Sequence, residues 1–97
     1  MYLEIISPEA VLFSSNVDSV IVPGVDGEFQ MLDNHAAVVS DLTEGVVKVH
    51  VHSQEDLQLN DSLGVLKSHK DDDKVLVLKI KSGTVEVKNN KVIVLAD

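Results

Sequence analysis

The chain contains no cysteine, which excludes disulfide bonds and thiolate metal sites and favours a reducing compartment. It also lacks any apolar run of about 18 residues, the length that a membrane-spanning helix requires. The first residues do not combine a basic segment with an apolar core, so no secretory signal is predicted. These absences predict a protein that neither crosses a membrane nor enters the secretory route.

Basic residues are scarce. The chain has eight basic residues (lysine and arginine) and sixteen acidic ones (aspartate and glutamate), which gives a net charge of −8. Binding to nucleic acid or to anionic lipid depends on a basic surface, so neither is expected as a direct activity. The ordinary consequence of such a charge is solubility.

The residues that are present alternate between apolar and polar with a period of two, most clearly in 47–52 and 84–88. Valine dominates the apolar positions, and β-branched side chains suit a pleated, half-buried surface. Strands are predicted near residues 2–6, 10–13, 17–22, 28–31, 36–40, 45–52, 75–81, 84–88 and 91–95. Asn89-Asn90 predicts a two-residue hairpin turn, since asparagine tolerates positive φ. The expected fold is all-β, an antiparallel β-sandwich of about nine to ten short strands in one domain, 1–97.

Residues 53–74 interrupt this pattern. The segment is rich in serine, aspartate, asparagine and glutamine, and a few leucines and valines are spaced among them. It is predicted to be an inserted loop or hairpin, and the aspartate run at 71–73 fits a solvated loop better than a metal site.

Two predicted strands, 75–78 and 92–95, are apolar on both faces. The outer face of an antiparallel sandwich is normally polar, so something is expected to cover these residues. The pattern alone leaves open whether the 53–74 segment covers them or a partner protein does.

Candidate chemical sites are weak. His50 and His52 share one strand face and would chelate a metal only with a further ligand such as His69; exposure on an outer face explains them equally well. Ser40, His35 and Asp41 have the residue types of a nucleophilic triad. However, they lack a strained nucleophile turn and a set of oxyanion donors.

A phosphate-binding loop is also missing, because residues 24–27 are followed by no lysine and no predicted helix. The sequence therefore predicts no catalytic centre, no cofactor and no metal.

The most specific stretch is 22–36, which reads VPGVDGEFQMLDNHA. Pro-Gly and Asp-Gly give two turn signals, a short apolar strand follows, and Asp-Asn gives a further turn. This stretch resembles the pattern VPG-x-x-GEFG-x-LPNHAP of the epsilon subunit of F-type ATP synthases, in its N-terminal β-sandwich domain. The likeness continues at 7–14 and 82–96 and covers about 1–51 and 79–97. The chain departs from the pattern at Gln30, Asp33 and Ala37.

The resemblance implies a non-catalytic central-stalk rotor subunit of a proton-translocating ATP synthase. In that family the sandwich binds the gamma subunit and the membrane c-ring, and proton-driven rotation is thereby coupled to ATP synthesis. Such a subunit is expected on the cytoplasmic face of a bacterial inner membrane, attached peripherally through the complex. Because the sequence stops at Asp97, the family's two C-terminal helices are expected to be missing.

The resemblance also implies site residues. Glu28, Phe29, Asn34 and His35 would form a corner that faces the c-ring, within an exposed loop spanning 28–35. The side facing gamma is expected among the doubly apolar strands, at Val75, Val77, Ile93 and Leu95.

A second interpretation is a free-standing β-sandwich binding module for carbohydrate or a metal ion. A sugar-binding module would need exposed aromatic rings for stacking, and the chain has one tyrosine, two phenylalanines and no tryptophan. A small hydrolase is a third interpretation, disfavoured because no site is visible.

Overall fold

The computed structural model describes residues 1–51, 67–69 and 72–97, with side chains for 1–51 and 75–97. This part of the chain is all-β, as predicted. Its strands are β1 (Tyr2–Ile6), β2 (Val11–Asn16), β3 (Ser19–Gly24), β4 (Gly27–Leu32), β5 (Val38–Leu42), β6 (Gly45–His50), β7 (Lys67–His69), β8 (Asp72–Ile80), β9 (Gly83–Lys88) and β10 (Lys91–Ala96). Within these ranges there is no helix long and apolar enough to cross a membrane.

The strands form one hydrogen-bonded path, β2-β1-β10-β9-β5-β3-β6-β8-β7, with β4 paired to the free side of β3. The path turns back on itself between β5 and β3, which are joined by a single pair, Gly24 with Leu42. On one side of this junction lies the layer β2-β1-β10-β9-β5. On the other side lies the layer of β4, β3, β6, β8 and β7.

The first strand pairs in parallel with the last one, with Tyr2 opposite Lys91 and Ile6 opposite Leu95. The other pairs are antiparallel. The alternation pattern does not predict this parallel pair, because both orientations present every second residue to the same face.

The inner faces of the two layers form one core. Its members are mostly valines, leucines and isoleucines, and they occupy alternate positions of β1, β3, β6, β8, β9 and β10. Phe13 is the largest fully buried side chain, at 2% exposure. The period-two pattern thus encodes which face each strand buries.

Two tight turns have the backbone that their sequences predict. Asn89 and Asn90 join β9 to β10 with φ of 52° and 61°, and Lys88 pairs with Lys91 across them. Both positions need positive φ, which asparagine tolerates better than most residues. Gly27 follows the β3–β4 turn with φ of 125°, a region in which residues with a side chain are strained.

The predicted insertion at 53–74 lies mostly outside the described residues. Its described backbone contains β7 and the first residues of β8, which pair antiparallel, with Lys67 opposite Val77.

We expect Phe13→Ala to destabilise the protein by about 3–5 kcal/mol, the usual cost of removing a buried phenylalanine. Val39→Ala is the control, since Val39 is 75% exposed, and it should change stability by less than about 0.5 kcal/mol. Urea denaturation followed by circular dichroism measures both free energies of unfolding. Equal costs for the two variants would contradict the core described above.

Candidate functional site

Ser40, His35 and Asp41, the candidate nucleophilic triad, do not form a triad in the structure. The Ser40 hydroxyl donates to the carbonyl of Asp41 at 3.2 Å, and Nδ1 of His35 bonds the carbonyl of Ala36 at 2.7 Å. Ser40 and Asp41 are consecutive in β5, so their side chains point to opposite faces of the sheet. This geometry is incompatible with a hydrolase triad of these three residues.

His50 lies on the outer face of β6, opposite Val75 of β8. Its Nδ1 is buried and has no hydrogen-bond partner in the described part of the chain. The other two histidines of the metal hypothesis, His52 and His69, fall outside the residues whose side chains are described. Among the described residues no group of three histidine, aspartate or glutamate side chains could hold a metal ion.

The turn at residues 24–27 closes the β3–β4 hairpin instead of leading into a helix. The ring of Phe29 packs on Gly24, where a Cβ would lie 2.8 Å from Cε1 of that ring and from the carbonyl oxygen of Gly27. Phe29 is partly buried and packs against the core, as expected for its bulk. Glu28 is exposed, and its carboxylate lies 3.9 Å from Nζ of Lys48.

The expected loop at 28–35 is mainly a strand, because β4 covers Gly27–Leu32 and pairs with β3 over its full length. Glu28 and Phe29 lie at its beginning, whereas Asn34 and His35 follow its end. Four residues of extended chain between Glu28 and Leu32 span about 13 Å at ~3.3 Å per residue. The four residues assigned to one corner therefore occupy two separate places.

Residues 33–37, which we call the 33–37 corner, join β4 in one layer to β5 in the other. The amide of His35 donates to the carbonyl of Leu32 at 3.1 Å, and the amide of Asn34 donates to Oδ1 of Asn90 at 2.8 Å. Asn34 has a φ of 61°. The carbonyl of Ala36 can only accept, so its bond places a proton on Nδ1 of His35.

Asp33 begins this corner and is 66% exposed as a side chain. Its Oδ1 lies 2.5 Å from the amino nitrogen of Met1. The hydrogen bond from that ammonium and its charge hold the pKa of Asp33 below its usual value; a hydrogen bond from Asn90 acts in the same direction. Asp33 is therefore an anion at neutral pH, two residues before His35 in the chain.

A second surface lies on the outside of the layer β2-β1-β10-β9-β5. Five apolar residues share this face, and we call them the outer apolar face: Ile6, Val11, Val39, Ile93 and Leu95. Val11 is 45% exposed, Val39 75% and Leu95 50%. The register places Ile6 beside both Val11 and Leu95, so these three side chains form a continuous row.

Acidic residues lie beside this face and within it. Glu4 and Glu86 flank Ile93 in the register, so Glu86 separates Ile93 from Val39, and Asp41 lies opposite Thr84, next to Leu95. A shallow depression of about 610 Å³ lies at one end, and Ile6 and Leu95 contribute to its lining. The row of Val11, Ile6 and Leu95 is thus a contiguous apolar surface with polar neighbours, which is typical of a protein interface.

The four residues assigned to the gamma side are divided between the two layers. Ile93 and Leu95 belong to the outer apolar face. Val75 and Val77 lie on the outside of the other layer, opposite His50 and Lys48, and Val75 is only 7% exposed. The set therefore does not form one surface.

The sequence interpretation missed several members of these surfaces. Ile6, Val11 and Val39 were not singled out, although Ile5-Ile6 and Val38-Val39 are pairs of neighbouring apolar residues, the same signal that indicated doubly apolar strands elsewhere. Asn90 was interpreted only as a turn residue, and nothing local in the sequence indicates its contact with Asn34, 56 positions away.

Comparison with known proteins gives consistent results. Residues 1–62 match the family described as the β-sandwich domain of the ATP synthase delta/epsilon chain. An ATP synthase epsilon chain of Leptospira interrogans is 33% identical over 95 residues, covering 98% of this chain and 59% of that protein. The corresponding protein of Campylobacter concisus is 34% identical over 97 residues, covering 100% of this chain and 60% of that protein.

The fold comparison agrees with this. A chain in the central stalk and c-ring structure of the Tetrahymena thermophila mitochondrial ATP synthase superposes with a TM-score of 0.68 at 13% identity, covering 99% of this chain and 62% of that one. The present chain spans 59% and 60% of the two bacterial relatives. With a family match over residues 1–62, the chain belongs to the ATP synthase delta/epsilon chain β-sandwich family.

Proposed function

We propose that the protein is a non-catalytic rotor subunit in the central stalk of a proton-translocating F-type ATP synthase. In this role it links the gamma subunit to the c-ring, so that rotation of the ring is coupled to ATP synthesis. Membership of the delta/epsilon chain family carries the proposal. The acidic surface charge, with sixteen acidic residues against eight basic ones, argues for attachment to the membrane through the complex. A bacterial inner membrane, at its cytoplasmic face, is the proposed location.

The outer apolar face is the surface proposed to bind gamma. Leu95 and Val11 expose about half of their side chains to solvent, and their burial against a partner would be favourable. Glu4 and Asp41 lie beside the face and Glu86 lies within it, so the matching surface of gamma is expected to be apolar with basic residues opposite these carboxylates.

The 33–37 corner is the surface proposed to dock on the c-ring. Within the described part of the chain, Nε2 of His35 makes no hydrogen bond, and the side chain of Asn34 is exposed. These polar groups, with the anionic Asp33, can pair with a polar loop of the ring. Glu28 lies at the other end of β4 and would contact a different part of the partner.

The sugar-binding alternative is disfavoured by the positions of the three aromatic rings. Phe13 is buried in the core, and Phe29 packs on Gly24. The hydroxyl of Tyr2 bonds the hydroxyl of Ser14, and Nζ of Lys91 lies 5.9 Å from the centre of its ring. Phe13 is therefore unavailable for stacking, and Phe29 and Tyr2 are both only half-exposed.

The isolated chain is expected to show no hydrolysis of ATP or of esters, because the serine, histidine and aspartate needed for a nucleophile are separated and residues 24–27 form a hairpin. Phosphate release and nitrophenyl ester cleavage, measured against a buffer blank, check this. Turnover that disappears in Ser40→Ala or His35→Ala would contradict the non-catalytic assignment.

Leu95→Glu is expected to weaken binding to purified gamma subunit by at least about tenfold, because it introduces an unpaired charge into the interface. Val25→Glu is the matched control: Val25 is 58% exposed but lies in the β3–β4 turn. Both variants should unfold within about 1 kcal/mol of the wild type. Calorimetric titration measures the affinities. Equal binding by the two variants would show that the outer apolar face does not bind gamma.

Glu28→Ala and His35→Ala are each expected to leave the free energy of unfolding within about 0.5 kcal/mol of the wild type, since both side chains lie at the surface. Each is expected to weaken docking to the c-ring. Because Glu28 and His35 lie at opposite ends of β4, their effects in the double variant should add to within about 0.5 kcal/mol. Coupled proton pumping in reconstituted vesicles measures docking; wild-type coupling by the double variant would exclude both residues from the ring contact.

A further inference from the structure

The 33–37 corner is held by a residue far away in the sequence, Asn90. Oδ1 of Asn90, in the β9–β10 turn, accepts the backbone N–H of Asn34 at 2.8 Å. The side chain of Asn90 also contributes to lowering the pKa of Asp33, the residue before Asn34. The hydrogen bond to Asn34 thus ties the β9–β10 turn to the corner.

Asn90 is itself fixed in place. Its carbonyl accepts the N–H of Tyr2 at 3.1 Å, and its turn joins two strands that are paired on both sides, β9 with β5 and β10 with β1. The corner has less support of its own. Besides the bond to Asn90, it has the bond from the His35 amide to Leu32, the bond between the His35 ring and the Ala36 carbonyl, and the pairing of Asp33 with the N-terminal ammonium.

We propose that Asn90 is a positioning residue for docking, whose side chain holds Asn34 and His35 in the orientation in which the 33–37 corner meets its partner. This rests on the proposed function, which makes that corner a docking surface. A fixed corner binds more tightly than a mobile one, because less conformational freedom is lost on association. Asn90 would then contribute to affinity without touching the partner.

The neighbouring residue supplies a matched control. Asn89 lies in the same turn with nearly the same backbone, a φ of 52° against 61° for Asn90. Its side chain is exposed and has no hydrogen-bond partner in the described part of the chain. Glycine accepts positive φ at either position, and the increase in unfolded-state entropy is the same for both replacements. Asn90→Gly therefore removes the hydrogen bond to Asn34, whereas Asn89→Gly leaves it in place.

The test measures two quantities on each variant. The first is the hydrogen-exchange rate of the Asn34 amide in the isolated chain, by nuclear magnetic resonance. The second is affinity for the gamma–c-ring assembly of the host enzyme after removal of this subunit. We expect Asn90→Gly to accelerate exchange at Asn34 about fivefold, as loss of one hydrogen bond implies, and to weaken binding by about threefold or more. Asn89→Gly should match the wild type in both, and both variants should remain folded at the temperature of the measurements.

Wild-type exchange at Asn34 in Asn90→Gly would overturn the proposal, and so would faster exchange with unchanged affinity. Equal weakening of binding by both glycine variants would also overturn it, because the turn and not the Asn90 side chain would then be responsible. If the wild-type chain fails to bind the assembly, both the proposed function and the docking role of Asn90 are wrong. In that case the exchange rate at Asn34 still decides whether Asn90 holds the corner.

Discussion

The arrangement of the two layers depends on β3, because this strand is shared between them. Its first half pairs with β6 in one layer, and Gly24 at its end pairs with Leu42 of β5 in the other. A Cβ at Gly24 would lie within 3 Å of both the Phe29 ring and the Gly27 carbonyl oxygen. Glycine at this position therefore permits the close approach of β4 to the end of β3, beside the junction. The amide of Thr43 donates to the Pro23 carbonyl at 2.9 Å and closes the same junction.

Both proposed docking surfaces are attached to the same layer. The outer apolar face is part of the layer that contains β10, and the 33–37 corner is bonded to Asn90 at the beginning of that strand. Leu95 lies five residues further along β10, about 17 Å away at ~3.3 Å per residue. A force applied at one surface could thus reach the other along hydrogen-bonded strands, without passing through the contact between the layers. Such a layer would suit a subunit that transmits rotation.

The sequence predicted most of what local chemistry determines, although Pro23-Gly24, interpreted as a turn, forms the end of β3 instead. Alternation identified the buried faces, and Asn89-Asn90 and Gly27 identified turns that need positive φ. It did not predict contacts between distant segments. The parallel pairing of β1 with β10 has the same periodicity as an antiparallel pair, and the bond from Asn34 to Asn90 joins two turns. The sequence motif did not predict that Glu28 and His35 lie far apart. Their spacing in the motif does not show that strand β4 lies between them.

The parallel pairing of β1 with β10 also bears on how the protein is made. Translation produces Tyr2 first and its partner Lys91 roughly ninety residues later, at about 5–20 residues per second. Until β10 has emerged, β1 can pair only with β2, and the apolar residues Leu3 and Ile5 lack the strand that completes their layer. Closure of the sheet must wait for several seconds of synthesis. During that time the free edge of β1 is open to pairing with other chains, so it needs protection until β10 is made.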